Sequence, residues 1–118
     1  MTIEELQTGI LDTIAGRDAL VIEARKLFIE AAEAEHAYRM AQAKAYLKAE
    51  GKNADERRGQ VDQIVDREMF AYKIADAKAS GVKEALRATA DKINAYQSLL
   101  RLERMEAEAI HYGQRNGA

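Results

Sequence analysis

The chain has no cysteine, no proline and no tryptophan, and aromatic side chains make up only 6% of its 118 residues. Without cysteine there can be no disulfide, no thiolate nucleophile and no thiolate zinc site. Without proline a β-rich fold is disfavoured, because such folds use proline in turns and at sheet edges. Few aromatics leave a conventional globular core thin. No run of about 18 apolar residues occurs, so no segment is expected to span a membrane. The opening residues Met1-Thr2-Ile3-Glu4-Glu5 lack the basic and apolar regions of a secretory leader, which points to a cytoplasmic protein.

Alanine, glutamate, lysine, leucine and arginine dominate instead, and 32% of residues are charged. That is the composition of long helices and coiled coils. The net charge of -2 argues against a binder held to nucleic acid by bulk positive charge, though a local basic patch remains compatible with it.

Apolar residues recur at alternating spacings of three and four. The first stripe runs Ile3, Leu6, Ile10, Thr13, Arg17, Leu20, Ala24, Leu27, Ala31, Ala34, Tyr38, Ala41, Ala45. Thr13 and Arg17 interrupt it beside Gly16, where a kink or a continuation are both open, the latter being preferred. Thr2 and Glu5 have the spacing of a capping box that starts this arm. Gly51 is expected to close it in the left-handed conformation. Asn53 with Glu56 forms a second capping box.

The second stripe runs from Val61 through Val65, Glu68, Tyr72, Ala75, Ala79, Val82, Leu86, Thr89, Ile93, Tyr96, Leu100, Glu103 and Ala107 to Ile110. Its register does not slip at Gly81, so one helix is expected through that glycine at a cost of about 1 kcal/mol. The pattern predicts a single all-α domain over residues 1–112. Arm one covers about 3–50, the turn 51–53 and arm two about 54–111, forming a long antiparallel hairpin like a coiled coil. Residues 113–118 read as a frayed tail.

A two-helix hairpin covers only one stripe on each helix and buries little surface. Further apolar residues lie off the stripes. Either a short N-terminal helix folds back at Gly16 to make a three-helix bundle, or hairpins associate; association is preferred. Val21, Phe28, Phe70, Leu86, Ile93 and Leu100 are the candidate oligomer contacts.

Three constellations could carry chemistry. Glu33 with His36 and Glu108 with His111 have the Glu-x-x-His spacing of di-iron bundles. The stripe turns these side chains outward, however, so a solvated surface is the better reading. A ferritin-like metal protein is therefore only a third functional possibility, and no cofactor or catalytic residue is assigned. Lys83, Arg87, Lys92, Arg101 and Arg104 are nearly cancelled by neighbouring acids and are expected to set helix pairing.

The turn is more informative. Residues 36–58 hold six bases against three acids, a local charge of +3, whereas residues 1–35 hold three bases against eight acids, -5. Arg39, Lys44, Lys48, Lys52, Arg57 and Arg58, with Tyr46 off the stripe, could follow a phosphate backbone and stack a base. An ordinary solvated turn with ion pairs one helical turn apart is the competing reading.

Ala37-Tyr38-Arg39, Ala45-Tyr46-Leu47-Lys48-Ala49-Glu50-Gly51, Glu56-Arg57-Arg58 and Val61, then Lys83-Glu84-Ala85-Leu86-Arg87, Ile93 and Tyr96-Gln97-Ser98-Leu99-Leu100-Arg101, carry a resemblance. Over roughly residues 20–105 the chain resembles small helical proteins from the DNA-metabolism gene clusters of tailed bacteriophages. Its layout is similar to phage recombination mediators. The resemblance implies a helical, self-associating, non-enzymatic accessory protein that contacts single-stranded DNA, a recombinase or a single-strand-binding protein in the host cytoplasm. It places Tyr46, Lys48, Lys52, Arg57 and Arg58 toward DNA. The chain lacks the basic, aromatic C-terminal segment expected of a mediator. The alternative is a helical adaptor, scaffold or inhibitor of a host factor that does not bind nucleic acid. Neither reading involves a membrane or a small-molecule substrate.

Overall fold

The computed structural model describes residues 1–117, with side-chain surroundings described for residues 1–114. Among these residues there are three helices and no strand: α1 (Ile3–Lys48), α2 (Ala54–Ile64) and α3 (Asp66–Gly117). The fold is the all-α helical hairpin that the two stripes predict. No helix is long and apolar enough to cross a membrane. Two compact units are distinguished, Met1–Val21 with Glu84–Ala118, and Ile22–Lys83.

The unit Ile22–Lys83 holds the turn. α1 ends at Lys48, two residues before the expected limit, with the Ala49 N–H donating back to the Tyr46 carbonyl at 3.4 Å. Asn53 caps α2 by accepting from the Glu56 N–H at 2.9 Å. The reciprocal half of the expected box is displaced by one residue, because the Glu56 carboxylate accepts from the Lys52 N–H at 2.8 Å. The Glu50 N–H donates to Gln60 Oε1 at 3.1 Å. Two of the turn's backbone donors, those of Glu50 and Lys52, are thus satisfied by side chains of the helix that follows it.

Gly51 is required here for a reason other than the one its position suggests. No glycine among the described residues has positive φ. A Cβ on Gly51 would lie 2.6 Å from the Arg57 nitrogen and 2.9 Å from the Glu56 carbonyl carbon. The constraint is the close approach of α2's backbone, not left-handed geometry.

Beneath the turn, Ala45, Val61 and Val65 form a buried cluster with Ala41 and Ala49 against it. Val65 also interrupts arm two, which the pattern predicts as one helix. Its backbone (φ -100, ψ 10) leaves the helical region, although its N–H still reaches the Val61 carbonyl at 2.9 Å. No glycine or proline marks the break. The interruption coincides with the complete burial of both valines, so tertiary packing overrides local preference. Further from the turn, the Tyr38 and Tyr72 rings meet edge to face at 5.9 Å.

In the unit Met1–Val21 with Glu84–Ala118, the Thr2–Glu5 capping box forms as expected. The Glu5 N–H donates to Thr2 Oγ1 at 3.1 Å and the Thr2 N–H to Glu5 Oε2 at 3.4 Å. The Tyr96 ring lies against the helix backbone at Gly9, where a Cβ would come within 2.9 Å of the ring. Thr13 lies on the seam with its hydroxyl donating to the Gly9 carbonyl at 2.6 Å. Thr89 does the same toward Ala85 at 2.8 Å. Bonding back one turn satisfies each hydroxyl without a cross-helix partner. α1 runs through Gly16 and α3 through Gly81 unbroken, so no short N-terminal helix folds back at Gly16.

Every stripe position of arm one except Arg17 is buried or partly buried, and so is every position of arm two from Val61 to Glu103. Ala107 and Ile110 are exposed. α3 continues to Gly117, past the expected end near 111, so the segment read as frayed is helical that far. Ala118 lies outside the described residues.

Candidate nucleic-acid interface

The candidate interface belongs to the unit Ile22–Lys83. Lys44 and Lys48 are four residues apart on the last turns of α1, and both are exposed, as are Lys52 in the turn and Arg58 on α2. Tyr46, on the same stretch of α1, is 44% exposed. Among the described residues, ion pairs within 4 Å are Arg39–Glu35 at 2.8 Å and Arg87–Glu84 at 3.3 Å. None of Lys44, Lys48, Lys52 or Arg58 takes part in them.

The other two candidate bases are engaged. Arg39 donates to Glu35 Oε1 through Nε at 3.0 Å and Nη2 at 2.8 Å. Its pKa is raised above the ordinary arginine value, first by that hydrogen bond and then by the carboxylate's charge. Arg57 is half-buried and donates from Nη1 to the Gly51 carbonyl at 3.2 Å. Its role is to hold the turn. The seven candidate residues therefore separate into Lys44, Tyr46, Lys48, Lys52 and Arg58, which are exposed and unengaged, Arg39, which is exposed but paired with Glu35, and Arg57, which is half-buried against the turn.

Sequence reasoning missed Lys73. With Glu35, Tyr38, Arg39, Gln42 and Tyr72 it lines a shallow crevice in the same unit. The stripes place Tyr38 and Tyr72 on the seam but give no sign that Lys73 borders them.

The candidate oligomer contacts also separate. Ile93 is 8% exposed, and Leu86 and Leu100 are partly buried. These three are covered by the chain's own helices, because they occupy the seam positions of the intrachain pairing. They are corrected from intermolecular to intrachain contacts. Val21 is half-buried, whereas Phe28 and Phe70 are 43% and 63% exposed.

Glu68 lies on the seam with Oε2 buried and without a hydrogen-bond partner. Glu33, His36, Glu108 and His111 are all exposed. Among the described residues, no three His, Asp or Glu side chains converge as metal ligands.

The unit thus presents a helical surface carrying unpaired cations and one exposed tyrosine. Comparison with family models, with curated proteins and with solved structures returns no match for this chain.

Proposed function

We propose that this chain is a non-enzymatic, self-associating accessory protein of phage DNA recombination or replication, and that it contacts single-stranded DNA with the turn of its hairpin. The reading is supported above all by the four exposed, unpaired bases Lys44, Lys48, Lys52 and Arg58, with the exposed Tyr46 on the same final turns of α1 as the first two. Cations spaced along a helix end can follow a phosphate backbone, and an exposed aromatic ring supplies a stacking platform that tolerates any base. The overall negative charge then restricts binding to this end, and affinity should be strongly salt-dependent.

The test is fluorescence anisotropy of a labelled single-stranded oligonucleotide over a salt series. Replacing Lys44, Lys48, Lys52 and Arg58 together by alanine should remove binding. Each single replacement should flatten the slope of log affinity against log salt by about 0.7. Tyr46→Ala should weaken binding by about 1–3 kcal/mol with little change in slope. Absence of binding by the intact chain at low salt refutes the reading.

A second reading, a helical adaptor or scaffold for a protein partner, is favoured by a different observation. Phe70 and Ile74, one turn apart on α3, are 63% and 41% exposed, and Ile64 at the end of α2 is 60% exposed; exposed apolar side chains of this kind can mark protein contacts. Purified protein that ignores DNA yet retains a host or phage protein through these side chains supports that reading instead.

A further inference from the structure

We propose that a second copy of this chain docks antiparallel along α3 between Ala85 and Ala109, on a face distinct from the seam. The proposal deepens the self-association in the reading above and does not need contact with DNA. All of the residues involved belong to the unit Met1–Val21 with Glu84–Ala118.

A second seven-residue rhythm runs along this part of α3 beside the first. Ala88, Ala95, Leu99, Leu102 and Ala109 recur at spacings of three, four and seven, and all are exposed. Leu99 and Leu102 are 45% and 55% exposed. Scattered apolar residues on a surface need no explanation, but a sustained heptad stripe is the pattern of a helix awaiting another helix. The alanines permit close approach on either side of the leucines.

The packing within the unit leaves part of α3 uncovered. Gly9 meets Tyr96, and the two helices run in opposite directions. The start of α1 at Ile3, six residues before Gly9, therefore lies near Leu102. Beyond it α3 has no helix of its own chain alongside, and residues 104–114 are all exposed. Met105, Ile110 and Tyr112 are 59%, 63% and 70% exposed.

Charge selects the occupant and its direction. Two charged residues, Lys92 and Glu106, interrupt the stripe, one on each side of the leucines. An antiparallel second copy that sets Leu99 against the other copy's Leu102 brings each Lys92 to within about 5 Å, along the axis, of the other copy's Glu106. A parallel copy would set lysine against lysine and glutamate against glutamate, which is unfavourable. Lys92 keeps its ammonium 5.9 Å from the Tyr96 ring centroid and remains exposed for the pairing. The same register lays residues 88–97 of the second copy beside the uncovered segment from 104 to 113.

Two measurements test the proposal. Light scattering over a dilution series should show the intact chain at twice the monomer mass or more, and Leu99→Glu with Leu102→Glu should reduce that mass at least twofold while helical circular dichroism is kept. Lys92→Glu alone should weaken association roughly tenfold, and adding Glu106→Lys should restore it. Because the chain has no cysteine, Arg87→Cys provides a single spin-label site. Antiparallel docking predicts a label separation of about 40 Å, and parallel docking less than about 20 Å. A short separation, or failure of the double charge reversal to restore association, overturns the antiparallel arrangement. An oligomer indifferent to Leu99 and Leu102 overturns this face and leaves self-association standing. A monomer at every concentration overturns both.

Discussion

Alanine at Gly9 should destabilise the protein, while the same change at Gly16 or Gly81 should stabilise it. All three glycines lie inside long helices, so each replacement gains about 0.4–1 kcal/mol from lower unfolded-state entropy and better helix propensity. At Gly16 and Gly81 an added Cβ meets nothing within 4 Å, so the gain should appear in full. At Gly9 the new carbon would sit 2.9, 3.0 and 3.3 Å from three atoms of the Tyr96 ring. That half-buried ring must move, and overpacking of this kind costs about 1–3 kcal/mol. The net expectation is a loss of about 1 kcal/mol at Gly9 against a gain of similar size at the other two. Urea unfolding followed by circular dichroism, at one fixed protein concentration, measures the difference. In thermal unfolding the stabilised variants should melt about 3–5 °C higher. A Tyr96→Ala background removes the obstacle, so Gly9→Ala should become stabilising there. If Gly9→Ala stabilises the native background as much as Gly16→Ala does, the seating of the Tyr96 ring described above is wrong.

Other outcomes follow from the same structure. Gly51→Ala should cost more than about 2 kcal/mol, because the added carbon meets backbone that cannot step aside, whereas Asn53→Ala should cost about 1 kcal/mol through loss of one cap. Ile93→Ala should lower unfolding stability by about 2–4 kcal/mol, while Phe70→Ala, at 63% exposure, should leave it nearly unchanged and so confirm that the two residues belong to different surfaces. Glu68→Leu should be neutral or stabilising in the same urea assay, since it removes a buried oxygen that lacks a partner; a loss above about 1 kcal/mol would show that Glu68 has a partner.

The helices were legible because one physical signal dominates them. With no proline and an unslipped heptad stripe, Val61 to Glu103 could bury only one face, and that face is the covered one. The caps at Thr2 and Asn53 were also readable, since a capping side chain acts within a few residues of itself. What escaped depends on contacts made across the fold. The interruption at Val65 has no local breaker and follows from burial against Ala45. Gly51 was recognisable as special, but the reason is Arg57's backbone rather than its own dihedral. The basic turn was visible as a charge cluster. Its division into free and engaged bases was not, because Arg57 reaches back over six residues to a carbonyl. Leu86, Ile93 and Leu100 could not be told from intermolecular contacts by spacing alone, for a heptad stripe does not state whose helix covers it.

The turn's dependence on Glu56 and Gln60 bears on how the molecule folds and opens. Both acceptors belong to α2, so the reversal of direction cannot be held until α2 has formed its first turns. Ala45 and Val61 then meet across a short loop, at little entropic cost. Gly9 and Tyr96, by contrast, are separated by most of the polypeptide and must find each other later. Amide exchange should therefore run as a gradient, slowest around the valine cluster and fastest in α3 beyond Leu102, where α1 no longer covers it. The surface nearest the termini would be remodelled at small energetic cost, while the basic end stays formed.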